Sequence, residues 1–215
     1  MSAAAELLLH VLTVCVRMLT RNQTMRLLGI ADRANVKRLV RGLAARGLVS
    51  EITVWAKPVP ETKGPLYAST TTVFHAALTA TEPPELNRIL RLAHARWAGV
   101  SAVPMACILA TGKTGQIYGV PRTGVPAKPI QCSHDIMVSE VLVFSILEGL
   151  IQAEDWHGED FGDCRCGDKY ADAVLTTGGK QGRKIIEIVG ANYTHDKLFA
   201  ISSECNRRGV PYEFW

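Results

Sequence analysis

The chain has 215 residues, enough for one large or two small domains, and 47% are hydrophobic against 20% charged, which excludes a disordered chain. The net charge of +4 is too small to fix a partner by itself. The first apolar run, Leu7 to Leu19, is short, contains His10 and Arg17 and has no basic residue before it, so it is expected to be neither a membrane span nor a signal segment.

That run is read instead as a buried first helix over 5–20. A second helix over 23–29 turns Met25, Leu27, Leu28 and Ile30 inward. Gly29-Ile30-Ala31-Asp32 makes a turn, and Asp32 is placed to cap a third helix over 32–46. There Val36, Leu39, Val40, Leu43 and Leu48 form an apolar stripe at helical spacing. Arg33, Asn35, Lys37, Arg38, Arg41 and Arg46 take the other positions, so one side is anchored and the rest is cationic or hydrogen-bonding. Residues 49–57 (Ile52, Val54, Trp55) and 66–76 (Tyr67, Thr70 to Val73, Phe74) are expected to pair as wing strands around Pro58 to Pro65, with Lys57 and Lys63 at the tip. Three helices followed by a hairpin is the order of a winged helix-turn-helix.

Between Arg17 and Lys57 nine Lys/Arg (17, 21, 26, 33, 37, 38, 41, 46, 57) face only Asp32 and Glu51. A basic front on a near-neutral body fits a phosphate-binding module. Phosphates are assigned to Arg21, Arg26, Lys37, Lys57 and Lys63. Base edges are assigned to Arg33, Asn35, Arg38 and Arg41, because an arginine fork matches guanine and asparagine matches adenine. Two readings compete: the charges merely solvate exposed helix faces, or the unit is a protein-interaction module.

Thr81-Glu82-Pro83-Pro84 marks a boundary, giving domains 1–80 and 81–215 with a linker or dimerisation helix over 85–98. Residues 104–110 and 116–120 read as a hairpin. The Gly112-Lys113-Thr114 turn inside it is not a phosphate loop, because Cys107 stands where that loop needs glycine. An apolar helix over 134–151 follows, then a strand (171–176), a turn (178–182), a strand (183–189), a helix (194–207) and a closing strand (210–215). The fold class expected is α/β (α+β). Helix 134–151 and the Trp-bearing segments 85–98 and 209–215 suit either a core or a dimer interface.

Asp172 and Glu187 fall on consecutive strands, where two carboxylates and a carbonyl make a minimal Mg²⁺ or Mn²⁺ site. Ala171-Asp172-Ala173 followed by Ile186-Glu187-Ile188-Val189 resembles the Asp…Glu-x-Lys pattern of the PD-(D/E)xK nuclease-like superfamily, with helix 134–151 and its Glu140 as that core's first helix. More narrowly, a winged helix followed by ADAV, IEIVG and Tyr193-Thr-His-Asp-Lys197-Leu resembles the replication-relaxation family of plasmid and mobile-element proteins over nearly the whole chain. The resemblance implies a restriction-endonuclease-like C-terminal domain. Val189 replaces the lysine of the pattern and Ala171 its proline, so loss of catalysis is expected, with no cofactor. If activity survives, Glu140, Asp172, Glu187 and Lys197 would carry it, with Asp172 and Glu187 as metal ligands. An ion pair between Glu187 and Lys184, Lys197 or a C-terminal arginine is the structural alternative.

Cys164-Arg165-Cys166 with Cys132, His134, His157 or Cys205 lacks structural-zinc spacing, so free cysteines are expected. The expected function is sequence-specific binding of double-stranded DNA, as a transcriptional regulator or a replication or transfer factor. The alternative is a metal-dependent endonuclease or nickase. The expected state is a homodimer reading half-sites about 34 Å apart, in the cytoplasm with the nucleoid and without a membrane partner.

Overall fold

A computed structural model describes residues 1–69, 86–120, 128–161, 165–166, 169–177 and 182–215. The chain is mixed α/β. Helix α1 (Ala3–His10) runs into a π-turn (Val11–Cys15) that ends extended at Val16. The expected first helix therefore stops short of residue 20. Leu19–Thr20 form β1 instead, because they pair with a distant strand. Thr20 then caps α2 (Arg21–Leu28) in a reciprocal box with Gln23, and Gly29 ends it at a positive φ of 63°. Asp32 accepts from the Ala34 amide at 2.8 Å and opens α3 (Arg33–Ala45) where expected.

Strand β2 (Val49–Ala56) has its expected position, but its partner differs. Of the expected second wing strand over 66–76, the described part holds β3 (Tyr67–Ala68), which pairs with the end of the chain and not with β2; residues 70–76, like 81–84, lie outside the described ones. The partner of β2 is β4 (Val103–Ala110), antiparallel over eight residue pairs from Val49↔Ala110 to Ala56↔Val103, in a sheet of order β1-β4-β2. Lengthening the connection from residues 58–65 to residues 57–102 adds only about 1.5 kcal/mol of closure entropy. The long ladder buries Val54, Ala56, Cys107 and Leu109, which outweighs that cost.

The expected 104–110/116–120 hairpin is likewise absent. Gly112–Tyr118 is helix α5, entered through Thr111. Its Gly-Lys-Thr segment closes off the end of α3: Lys113 Nζ donates to the Arg46 carbonyl (3.0 Å) and Thr114 Oγ1 to that of Leu48 (2.5 Å). The first satisfies a carbonyl that the helix end leaves open; the Leu48 carbonyl, beyond the helix, also takes the Thr111 amide at 3.0 Å.

Helix α4 (Leu86–Trp97) is followed, beyond β4 and α5, by α6 (Cys132–Leu147). The stretch Pro129–Leu147 is long and apolar enough to cross a membrane, but 61% of that window is buried within this molecule. It packs against α2 and β2 on one side and against β8 (Ala173–Thr177) and β9 (Gly182–Glu187) on the other. The second sheet has the order β3-β10-β9-β8-β5, with β5 at Trp156–Gly158 and β10 at Tyr212–Phe214. β10 runs parallel to β9, and β5, β8 and β9 form an antiparallel meander. A small ribbon joins β6 (Arg165–Cys166) and β7 (Lys169–Tyr170). Helix α7 (His195–Arg208) links β9 to β10 and packs with α4 against the other face of this sheet. The sheet is thus sandwiched between α6 and the α4–α7 pair.

A boundary at residue 80 would cut both sheets, since β3 belongs to the C-terminal sheet and β4 to the N-terminal one. One apolar core also runs from Leu8, Val40 and Leu43 through α6 to Trp156, Leu175 and Trp215. Trp97 and Trp215 are 5% and 2% exposed, so the Trp-bearing segments serve the core. Gly158 fixes where the two parts meet: a Cβ there would lie 2.2 Å from the Cys15 carbonyl oxygen. That carbonyl, freed by the π-turn, accepts from Trp156 Nε1 at 3.1 Å.

Candidate nucleic-acid interface and buried carboxylate cluster

Helix α3 buries Val36, Val40 and Leu43 and exposes Arg33, Asn35, Lys37, Arg38, Arg41 and Arg46. Arg38 Nη1 donates to Asn35 Oδ1 at 3.1 Å, which holds two of the assigned base readers together. Among the described residues, none of Arg33, Lys37, Arg38 and Arg41 pairs with an acid. Their charges face solvent as one cationic surface.

The other assigned phosphate contacts fare differently. Arg26 turns inward: its Nη1 donates to both oxygens of Glu140 (2.7 and 3.0 Å), a carboxylate only 4% exposed. Gln23 Nε2 reaches the same carboxylate at 3.3 Å. A buried carboxylate needs such partners, so Arg26 is structural and not a phosphate ligand. The same contacts take Glu140 away from Asp172 and Glu187. Arg21 pairs with Glu51 at 2.7 Å, a half-exposed bridge of small energetic weight. Lys57 donates to the Trp97 carbonyl at 2.8 Å and does not reach a wing tip. Lys63 is exposed, but on the connection leading away from β2.

Asp172 and Glu187 do come close together, at the ends of β8 and β9. Asp172 Oδ2 accepts from the Ile188 amide at 2.6 Å and lies 3.2 Å from His134 Nε2. Glu187 accepts a short hydrogen bond from the Tyr193 hydroxyl, and Lys197 Nζ sits 3.2 Å above the Tyr193 ring. Lys197 therefore reaches the cluster through an aromatic face, and Lys184 pairs with Glu213 (2.8 Å), not Glu187. Burial, reinforced by the Asp172 carboxylate, pushes the Glu187 carboxyl up to about 8, so it holds its proton at neutral pH. Burial alone would lower the His134 imidazole; the Asp172 and Asp135 carboxylates outweigh it and hold it well above its ordinary value. Burial and the Glu187 carboxylate push the Tyr193 phenol far up.

A cleft opens beside this cluster, between the π-turn, the start of α6 and the end of β5. It is lined by Arg17, His134, Asp135, Glu159, Asp160 and Asp172 among others. Arg17 Nε donates to Asp160 Oδ2 at 2.6 Å, and its guanidinium also meets Glu159 and, at 3.7 Å, Asp135. Arg17, Asp135, Glu159 and Asp160 escape a reading of local sequence as site residues, because distant segments converge here. His134 drew notice only as a possible zinc ligand, and the Tyr193-to-Lys197 segment only as part of the family-like motif.

As arranged, a proton-bearing Glu187 and an Asp172 already engaged by His134 and a backbone amide form a hydrogen-bonded core network. Among the described residues no group of three or more His, Cys, Asp or Glu is disposed to hold a metal ion. Val189, where the nuclease pattern has lysine, is fully buried. Cys15 and Cys107 are free thiols, and Cys15, Cys107, Cys132 and Cys205 are all buried; Cys164 and the Cys166 side chain lie outside the described residues. No protein-family model, curated protein or solved structure matches the chain.

Proposed function

We propose that this chain is a non-catalytic, sequence-specific double-stranded DNA-binding protein. In this reading residues 1–56 and 103–118 are a winged helix-turn-helix whose wing strands, β2 and β4, are separated by residues 57–102. The observation that carries it is the exposed cationic face of α3, where none of Arg33, Lys37, Arg38 and Arg41 pairs with an acid among the described residues, held on a core by its opposite side. Three helices leading into a sheet of order β1-β4-β2 support the same reading. The helix, antiparallel meander, helix and parallel closing strand of the second sheet agree with a nuclease-like domain that keeps its fold without its chemistry. A regulator, or a replication or transfer factor acting as a homodimer, follows from the family resemblance.

The test is fluorescence anisotropy with labelled duplexes, first a random pool and then the sequences it enriches. Binding is expected to weaken as salt rises, since each neutralised phosphate releases counterion with a slope near −0.9. Lys37→Ala, which removes the α3 cation assigned to a phosphate, should flatten the salt slope by about 1 and weaken binding alike on all sequences. Arg38→Ala should cost about 1–3 kcal/mol on an enriched site and blur its specificity. Absence of duplex binding at low salt overturns the reading.

The convergence of Asp172 and Glu187 on one spot favours one second reading, a metal-dependent endonuclease or nickase. Plasmid nicking in manganese that is abolished by Asp172→Ala would establish it over the first.

A further inference from the structure

We infer that the cleft between the π-turn, the start of α6 and the end of β5 is a binding site for a short aliphatic diammonium, with one of its charged ends seated on Asp135. The site stands without the DNA-binding reading, since α3 takes no part in the cleft. One buried acceptor points to a ligand. Asp135 is 6% exposed, and its Oδ2 is buried and accepts no hydrogen bond. Its Oδ1 lies 3.6 Å from His134 Nδ1, and Arg17 Nη1 stands 3.7 Å from Oδ2, beyond hydrogen-bond reach. A carboxylate oxygen kept from both water and donors is costly, and in folded proteins such an atom is ordinarily met by a partner.

The surroundings fix the charge of that partner. Arg17 stands among three carboxylates, those of Asp135, Glu159 and Asp160. His134, held protonated, is matched by Asp172 at 3.2 Å. The walls of the cleft therefore carry two cations and four carboxylates. Burial pushes the Glu159 carboxyl up against the pull of Arg17, and the Asp172, Asp160 and Asp135 carboxylates add to it, as happens where positive charge is short. A water can give Asp135 a hydrogen bond but not the missing charge.

Shape sets the kind of cation. The cavity measures about 40 Å³, room for about three waters. Asp135 is its buried floor, and Glu159, with a side chain 32% exposed, is its rim. Leu12, Val16 and Val138 add apolar wall. The carboxylates surround a guanidinium and are not gathered on one point, and among the described residues no such group is disposed to hold a metal ion. An ammonium that donates to Asp135 Oδ2, a methylene stem against Leu12 and Val138, and a second ammonium at Glu159 answer each of these features.

The probes are putrescine, n-butylamine and magnesium chloride, each added at matched ionic strength to the intact chain without DNA, which would itself bind a diamine. Calorimetric titration should show saturable binding of putrescine at a single site. A hundredfold excess over its Kd should raise the melting temperature by about 5–10 °C. Butylamine, one charge short, should bind about tenfold more weakly. Asp135→Asn keeps the shape of the floor, and with circular dichroism matching the parent it should weaken putrescine about tenfold or more. Should that variant fail to fold, Glu159→Gln at the rim carries the test: it should bring putrescine down to the affinity of butylamine and leave butylamine as it was. The absence of saturable binding by putrescine overturns the proposal, as do equal affinities for putrescine and butylamine in the parent, or parental putrescine affinity in either folded variant. A melting shift that magnesium chloride reproduces also overturns it, assigning the carboxylates to a divalent ion or to simple screening.

Discussion

Replacing Arg26 by methionine separates a structural from a DNA-contacting arginine. In the native protein one guanidinium nitrogen serves both oxygens of Glu140, and Gln23 alone remains, at a longer 3.3 Å, when it is gone. Methionine keeps the apolar stem of the side chain, so the loss is the charge. Removing one member of a buried pair costs about 3–5 kcal/mol, because the carboxylate stays behind in a site 4% exposed. For a chain of this length each kcal/mol is worth about 2–4 °C, so the melting temperature should fall by about 6–20 °C. Urea denaturation gives the free energy directly. Arg26→Met combined with Glu140→Met should recover most of the loss, since two apolar groups of similar size replace the pair. The salt slope of duplex binding should not change. A loss under about 1 kcal/mol, accompanied by a salt slope shallower by about 1, would show that Arg26 holds a phosphate and that its inward pairing is incidental.

Two other substitutions probe the junction. The Glu187 carboxyl ionises near 4.5 when unfolded and about 8 when folded, so the unfolded chain holds fewer protons across that window and stability falls as pH rises through it. Glu187→Gln keeps an acceptor for Tyr193 but does not titrate; in urea melts at pH 5 and pH 9 its advantage over the parent should grow with pH, towards a ceiling of about 5 kcal/mol. An equal difference at both pH values contradicts the protonated carboxyl. His134, also held above its ordinary value, adds loss of the same sign above about pH 6.5, and that part should persist in the variant. Gly158→Ala drives a methyl into the Cys15 carbonyl and should cost about 1–3 kcal/mol or more, read by thermal melting. A neutral result would mean that the π-turn is free to retreat from β5.

Helix α3 was legible because its signals are local. Asp32 stands next to the first turn, and the apolar positions recur at helical spacing, so the exposed side of Arg33, Lys37, Arg38 and Arg41 follows from sequence once that face is anchored. The second sheet's strands 8 to 10 and α7 were legible for the same reason, as short β-branched runs and a capped amphipathic helix. Three things depended on the tertiary structure: the true partner of β2, the inward turn of Arg26, and the junction built on Gly158 and the π-turn. Each joins segments whose neighbours in sequence give no sign of the contact. Closing a long connection costs little more than closing a short one, so proximity along the chain is a weak guide to strand pairing. An arginine's role depends on which carboxylate the fold brings within reach, and Glu140 lies 114 positions from Arg26.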